Sequence, residues 1–186
     1  DPFVVLADAN LATAAQAAAD ARLINSGQSC IAAKRFIVVE TVADEFLKRF
    51  ADELRSRRMG DPLSRDTQVG PQARIDLRDE LHRQVEGSVK RGANRLLGGQ
   101  IPSGPGAFYP PTLLSGVDKG MPAFDEETFG PVAAVIRAKD EGDAAQFGLR
   151  QTTTDPSGSF VIAGAPRSGG SLVAEDSERG RSLAQK

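Results

Sequence analysis

Short apolar runs alternate with longer helical stretches over most of the chain, and no other feature restricts the fold as strongly. Phe3-Val4-Val5-Leu6 reads as a buried strand. Asp8-Ala9-Asn10 offers helix caps, and an Ala-rich helix follows from Leu11 to about Asn25. Its small side chains suit it to lie close against a sheet. Phe36–Glu40 is a second strand, after which Thr41 is expected to cap a second helix. There Val42, Phe46, Phe50 and Leu54 recur at four-residue spacing on one face. A turn-rich connector from Gly60 to Pro71 leads to a third helix, about Ala73 to Arg91, with Leu77, Leu81 and Val85 as its apolar stripe. Arg95-Leu96-Leu97 is extended. Tyr109–Leu114 is extended too, and Pro110 and Pro111 place it at a sheet edge, because proline cannot donate to a ladder. Met121 to Phe129 reads as a loop and Pro131–Ile136 as a strongly apolar strand. Strands alternating with helices predict an α/β layer structure with a mostly parallel sheet.

Length and composition narrow the function classes. The 186 residues allow one ordinary domain with a core of useful size. A net charge of −2 gives no general attraction to nucleic acid or to an anionic membrane. No apolar run is long enough to span a bilayer, and no basic segment precedes an apolar one at the N-terminus, so neither a membrane span nor a signal peptide is expected. A single cysteine excludes an internal disulfide, which is consistent with the cytoplasm. With a single histidine beside it, no metal site is expected. That histidine, His82, lies among charged residues next to the third helix's stripe. No motif attaches to it, and it reads as a packing or surface residue. Gly98–Gly106 does not follow the G-x-G-x-x-G pattern and reads as a loop rather than a dinucleotide turn.

The chemistry concentrates in Asn25-Ser26-Gly27-Gln28-Ser29-Cys30-Ile31-Ala32-Ala33-Lys34-Arg35. A lone cysteine is ordinarily a small buried hydrophobe. Here Gly27 is placed to stop the helix, and Cys30 falls on a turn before a strand, where a thiol is both held and exposed. Lys34 and Arg35 would favour the thiolate if they turned toward the sulfur, and would then speed its alkylation. Gly27-Gln28-Ser29-Cys30 resembles the nucleophile motif of the aldehyde dehydrogenase superfamily. Glu126-Glu127-Thr128-Phe129-Gly130-Pro131-Val132 resembles that family's second signature. Gly60-Asp61-Pro62, Val69-Gly70-Pro71 and Phe108-Tyr109-Pro110-Pro111-Thr112 match it in kind and in order between the two. Cys30–Phe36 and Leu77–His82 further resemble the branch that acts on succinate semialdehyde.

The resemblance covers residues 1–147 and implies a partial catalytic domain, with residues 148–186 as a divergent, poorly ordered tail. It implies oxidation of a small-molecule aldehyde to a carboxylic acid with NAD or NADP, and full-length relatives that form homo-oligomers. Cys30 takes the nucleophile's position, and its backbone N–H a place in the oxyanion hole. Glu127 matches the glutamate that binds the nicotinamide ribose, and Phe129 the aromatic that supports the ring. Apart from the resemblance these two would read as a solvated carboxylate and a core phenylalanine. The family's general base lies in a Glu-Leu-Gly-Gly stretch that would fall before Asp1, with most of the nucleotide-binding domain further upstream. The isolated chain is therefore expected to be inactive. A non-catalytic interaction module and a weak thiol esterase stand as alternatives. In the tail, Gly148–Ser159 reads as a linker. Ser159–Leu172 resembles the 5′-phosphate loop of sulfotransferases, a strand and a Gly-bearing loop with Arg167 before a helix start, although Gly170 stands where a hydroxyl residue is usual.

Overall fold

The computed structural model describes residues 2–147 together with two strands at 172–176 and 180–184. Strand β1 (Pro2–Val5) leads into helix α1 (Leu11–Leu23). Asn10 begins that helix, its side-chain oxygen accepting from the Thr13 N–H at 3.2 Å. β2 (Arg35–Val39) passes directly into α2 (Glu40–Ser56), and α3 (Ile75–Lys90), β3 (Asn94–Leu97) and β4 (Thr112–Ser115) follow. A four-residue helix α4 (Pro122–Asp125), β5 (Val132–Ala138) and α5 (Glu141–Gln146) complete the series.

The sheet order is β1-β2-β5-β4-β3. β1, β2, β5 and β4 are parallel, and only β3 runs antiparallel, against β4. Both faces are covered, so the inner strands are apolar at nearly every position instead of alternating. Phe36, Val38, Leu113, Ala133 and Val135 face α1 and α2. Ile37, Val39, Leu114, Val132, Ala134 and Ile136 face the layer that holds Leu81, Val85, Ala123 and Ala144. On the first face Phe3, Phe36, Phe50 and Phe46 form a chain of tilted rings with centroids 5.5, 4.8 and 5.3 Å apart. Each fully buried ring contributes on the order of 2–3 kcal/mol by area. Ala15, Ala18 and Ala19 let α1 approach this layer closely.

Several boundaries differ from the sequence reading. α1 ends at Leu23, and a 3-10 turn at Ile24–Gly27 follows instead of one more helical turn. Thr41 is no cap. Val39 occupies that position without a side-chain bond, because β2 runs straight into the helix, and the first-turn Glu40 carboxylate accepts from Arg137 on β5 at 2.7 Å. Leu77 is 37% exposed, and the buried face of α3 is Leu81, Gln84, Val85 and Ser88. Tyr109–Leu114 is not an edge. Pro110 and Pro111 precede β4, whose first N–H, at Thr112, donates to Pro131 O at 2.8 Å, and the edges are β1 and β3. Met121–Phe129 contains α4 rather than being loop throughout.

The chain divides into two compact units, Asp1–Leu149 and Arg150–Lys186. In the second, β6 (Leu172–Asp176) and β7 (Gly180–Ala184) pair antiparallel. Leu172 thus opens a strand, not the expected helix. The linker expected at 148–159 and the phosphate loop expected at 159–171, Arg167 included, lie outside the described residues. Among the described residues no helix is long and apolar enough to cross a membrane, and no cluster of metal-binding side chains occurs.

Candidate active site

Three successive residues with positive φ turn the chain toward Cys30: Asn25 at 50°, Ser26 at 54° and Gly27 at 78°. This conformation costs an L-residue roughly 1–2 kcal/mol, so Gly27 alone does not end the helix, and Asn25 and Ser26 must be held. The Asn25 side chain donates to Gln28 O at 3.1 Å, and the Gln28 N–H returns a bond to Asn25 O at 3.0 Å. The Ser26 hydroxyl accepts from the Gly70 N–H at 2.9 Å. The Gln28 side chain accepts from the Ala73 N–H at 2.8 Å and donates to Pro71 O at 3.4 Å. The Val69-Gly70-Pro71 motif is therefore a buttress for the cysteine turn. The sequence shows the motif but not this use of it.

The turn rests on the loop that carries Glu127 and Phe129. A Cβ on Gly27 would lie 2.2 Å from Gly130 O, and one on Gly130 would lie 2.4 Å from the Leu81 side chain. Gly27 allows the two backbones to touch, and Gly130 leaves room for the Leu81 and Gln72 side chains. Arg22, fully buried on α1, joins the same two segments from beneath. Its guanidinium donates to Gly27 O at 2.8 Å and to Val132 O at 3.3 Å. Burial lowers its pKa to about 10, with the Glu127 carboxylate acting in the opposite direction. No sequence signal points to Arg22, since a charged residue in an Ala-rich helix ordinarily faces water.

Cys30 is exposed, as is Ile31 beside it. Among the described residues the Cys30 N–H has no acceptor, whereas the neighbouring Gln28 and Ala32 amides are bonded. Glu127 is exposed, and Phe129 is 38% exposed rather than in the core. The Gln84 side chain on α3 fixes their loop, donating to Glu127 O at 3.2 Å and to a Glu126 carboxylate oxygen at 3.0 Å. Lys34 brings the three predicted residues together. Its ammonium pairs with Glu127 Oε1 at 2.9 Å, reaches Cys30 O at 3.4 Å and stands 5.7 Å from the Phe129 ring centre. Arg35 instead lies over the Phe124 ring. Both cations thus have partners other than the sulfur. His82 Nδ1 lies 3.1 Å from the buried Tyr109 hydroxyl, within hydrogen-bond distance.

The sequence model of the aldehyde dehydrogenase family matches residues 1–148. The chain belongs to the aldehyde dehydrogenase family. Succinate semialdehyde dehydrogenase (NAD(P)+) Sad of Escherichia coli strain K12 is 46% identical over 181 residues, covering 93% of this chain and 39% of that protein. Succinate-semialdehyde dehydrogenase (NADP(+)) of Mycobacterium avium strain 104 is 44% identical over 147 residues, 79% of this chain and 31% of that one. The chain therefore spans between about a third and two fifths of the curated relatives it matches. The E. coli alignment continues beyond residue 148, where the family match stops. Among solved aldehyde dehydrogenase folds, Escherichia coli lactaldehyde dehydrogenase superposes with a TM-score of 0.76 at 35% identity, over 78% of this chain and 31% of its own. Gox0499, whose structure addresses cofactor and substrate selection, gives 0.76 at 40% identity, over 79% and 32%.

Proposed function

We propose that this chain is the nucleophile-bearing part of an NAD(P)-dependent aldehyde dehydrogenase acting on a small aldehyde, succinate semialdehyde in particular. The observation that carries the reading is the exposed Cys30, whose own N–H is unengaged among the described residues and whose carbonyl is joined through Lys34 to Glu127 and Phe129. The Cys30 thiol gives up its proton to water, and the resulting thiolate sulfur attacks the aldehyde carbon. A C–S bond forms, and the carbonyl electron pair moves to oxygen, where the Cys30 N–H donates to the developing charge. A carboxylate accepts hydrogen bonds and does not donate them, so Glu127 fits the hydroxyls of a ribose. The exposed face of Phe129 fits a flat ring. These two residues would hold the nucleotide. A nicotinamide nucleotide, when bound, supplies the hydride acceptor that takes the Cys30 adduct to the thioester. Water then frees the carboxylic acid and regenerates the thiol. Loss of a general base typically costs about 10²–10⁴ in rate, and no Glu-Leu-Gly-Gly stretch occurs in these 186 residues.

Complementation tests the reading. The chain is mixed with succinate semialdehyde and NAD or NADP, with and without the N-terminal part of the E. coli relative. The expected result is no reduced nucleotide from the chain alone and Cys30-dependent turnover in the mixture. Turnover that survives Cys30→Ala would overturn the assignment. Hydrolysis of an activated ester by Cys30 without nucleotide is the second reading, favoured by the exposure of the thiol.

A further inference from the structure

We propose that Lys34 is a positioning residue that fastens the loop carrying Glu127 and Phe129 to the turn carrying Cys30. The inference rests on the roles proposed for those three residues. An ammonium has three N–H donors and no acceptor. Lys34 directs donors to Glu127 Oε1 and to Cys30 O, and presents its charge to the Phe129 ring. The face of an aromatic ring attracts a cation. The Lys34 side chain is only 12% exposed, against 63% for Glu127. An ion pair between two exposed partners holds little, but a half-sheltered cation with three partners at once is fixed in place.

Two fastenings thus cross between the same segments at different levels. Arg22 joins main-chain oxygens, Gly27 O and Val132 O, within the core. Lys34 acts at the surface, on the side chains that project from that frame. Without it the Glu127 carboxylate swings on its own rotatable bonds, and Phe129 loses the charge above its face. The backbone below stays clamped by Arg22 and by the contact of Gly27 with Gly130. Removing Lys34 therefore loosens the arrangement of nucleophile and nucleotide-facing groups without unfolding the domain.

The composition permits a direct measurement. The chain has one cysteine and no tryptophan. Phe129→Trp supplies a single donor, a small fluorescent acceptor is attached to Cys30, and time-resolved energy transfer reads the spread of distances between them. Lys34→Met is expected to broaden that spread about twofold, Glu127→Gln to broaden it comparably, and the pair together no further, because both break one tether. Lys34→Arg keeps a cation and is expected to restore the narrow spread. Should Lys34→Met fail to fold, Glu127→Gln still decides, since its side chain is exposed. Unchanged spreads, or two effects that add, would overturn the proposal. No nucleotide or aldehyde is present, so the complementation assay can fail while this cycle holds, and the reverse.

Discussion

Tyr109 is the chain's one tyrosine and is fully buried, its hydroxyl beside His82 Nδ1. Burial pushes the phenol well above its ordinary value near 10. Glu86 adds to the rise and Arg95 opposes it. Above about pH 10 the unfolded chain has therefore lost a proton that the folded chain still holds, so stability is full below that pH and falls as pH climbs. In an alkaline titration tyrosinate absorbance is expected to appear together with loss of far-UV circular dichroism, as one transition. A phenolate signal running well ahead of unfolding would contradict this. Tyr109→Phe should remove that part of the slope while costing about 1 kcal/mol at neutral pH through the lost His82 contact. Residues whose meaning is local are legible in the sequence. The turn at Cys30 follows from Gly27 and the adjoining strand, and the lone histidine carries no motif. Arg22 and Lys34 are not legible as fastenings, since nothing near them in sequence announces Val132 or Glu127. By sequence Lys34 is only a cation available to the sulfur, and its position shows why that alone is insufficient.

At the scale of elements, periodicity serves best where one face meets the sheet. Phe46, Phe50 and Leu54 of α2 are all buried, as spaced. It serves less well on α3, where the buried positions include the polar Gln84 and Ser88. Gln84 there donates to the Glu127 carbonyl and to the Glu126 carboxylate, and the Ser88 hydroxyl donates to Gln84 O at 2.8 Å and accepts from the Ala123 N–H at 2.9 Å. A hydrophobicity pattern has no sign for such residues. The two caps provide a comparison. Asn10→Ala removes a side-chain bond to a helix N–H and should cost about 1 kcal/mol in urea unfolding. Thr41→Ala removes none and should fall within about 0.5 kcal/mol of wild type. Equal losses at both sites would mean that Thr41 does cap α2 after all, in place of the direct passage from β2.

Over the whole first unit, strand order and chain order disagree. β5, the last strand of the five, lies between β2 and β4 and pairs with both. Removing residues 150–186 should therefore leave a cooperative urea transition, whereas ending the chain at residue 130 should abolish it, because β2 and β4 each lose a neighbour and Arg22 loses one of its two acceptors. A cooperative transition in the shorter piece would show that the sheet closes without its centre. Alternating strands and helices are enough to predict a parallel sheet, but no strand carries a label for its neighbours, which is why prolines alone misplace β4 at an edge. The same order sets a timetable during synthesis. Arg22 and its acceptor at Val132 are separated by 110 residues, which a ribosome takes roughly 5–20 s to add. For that interval the nascent chain carries its thiol on a turn that has at most the Gly70–Ala73 buttress and not yet Gly130 or Val132 to rest against, and any chaperone that shields the growing chain would be meeting a half-assembled site.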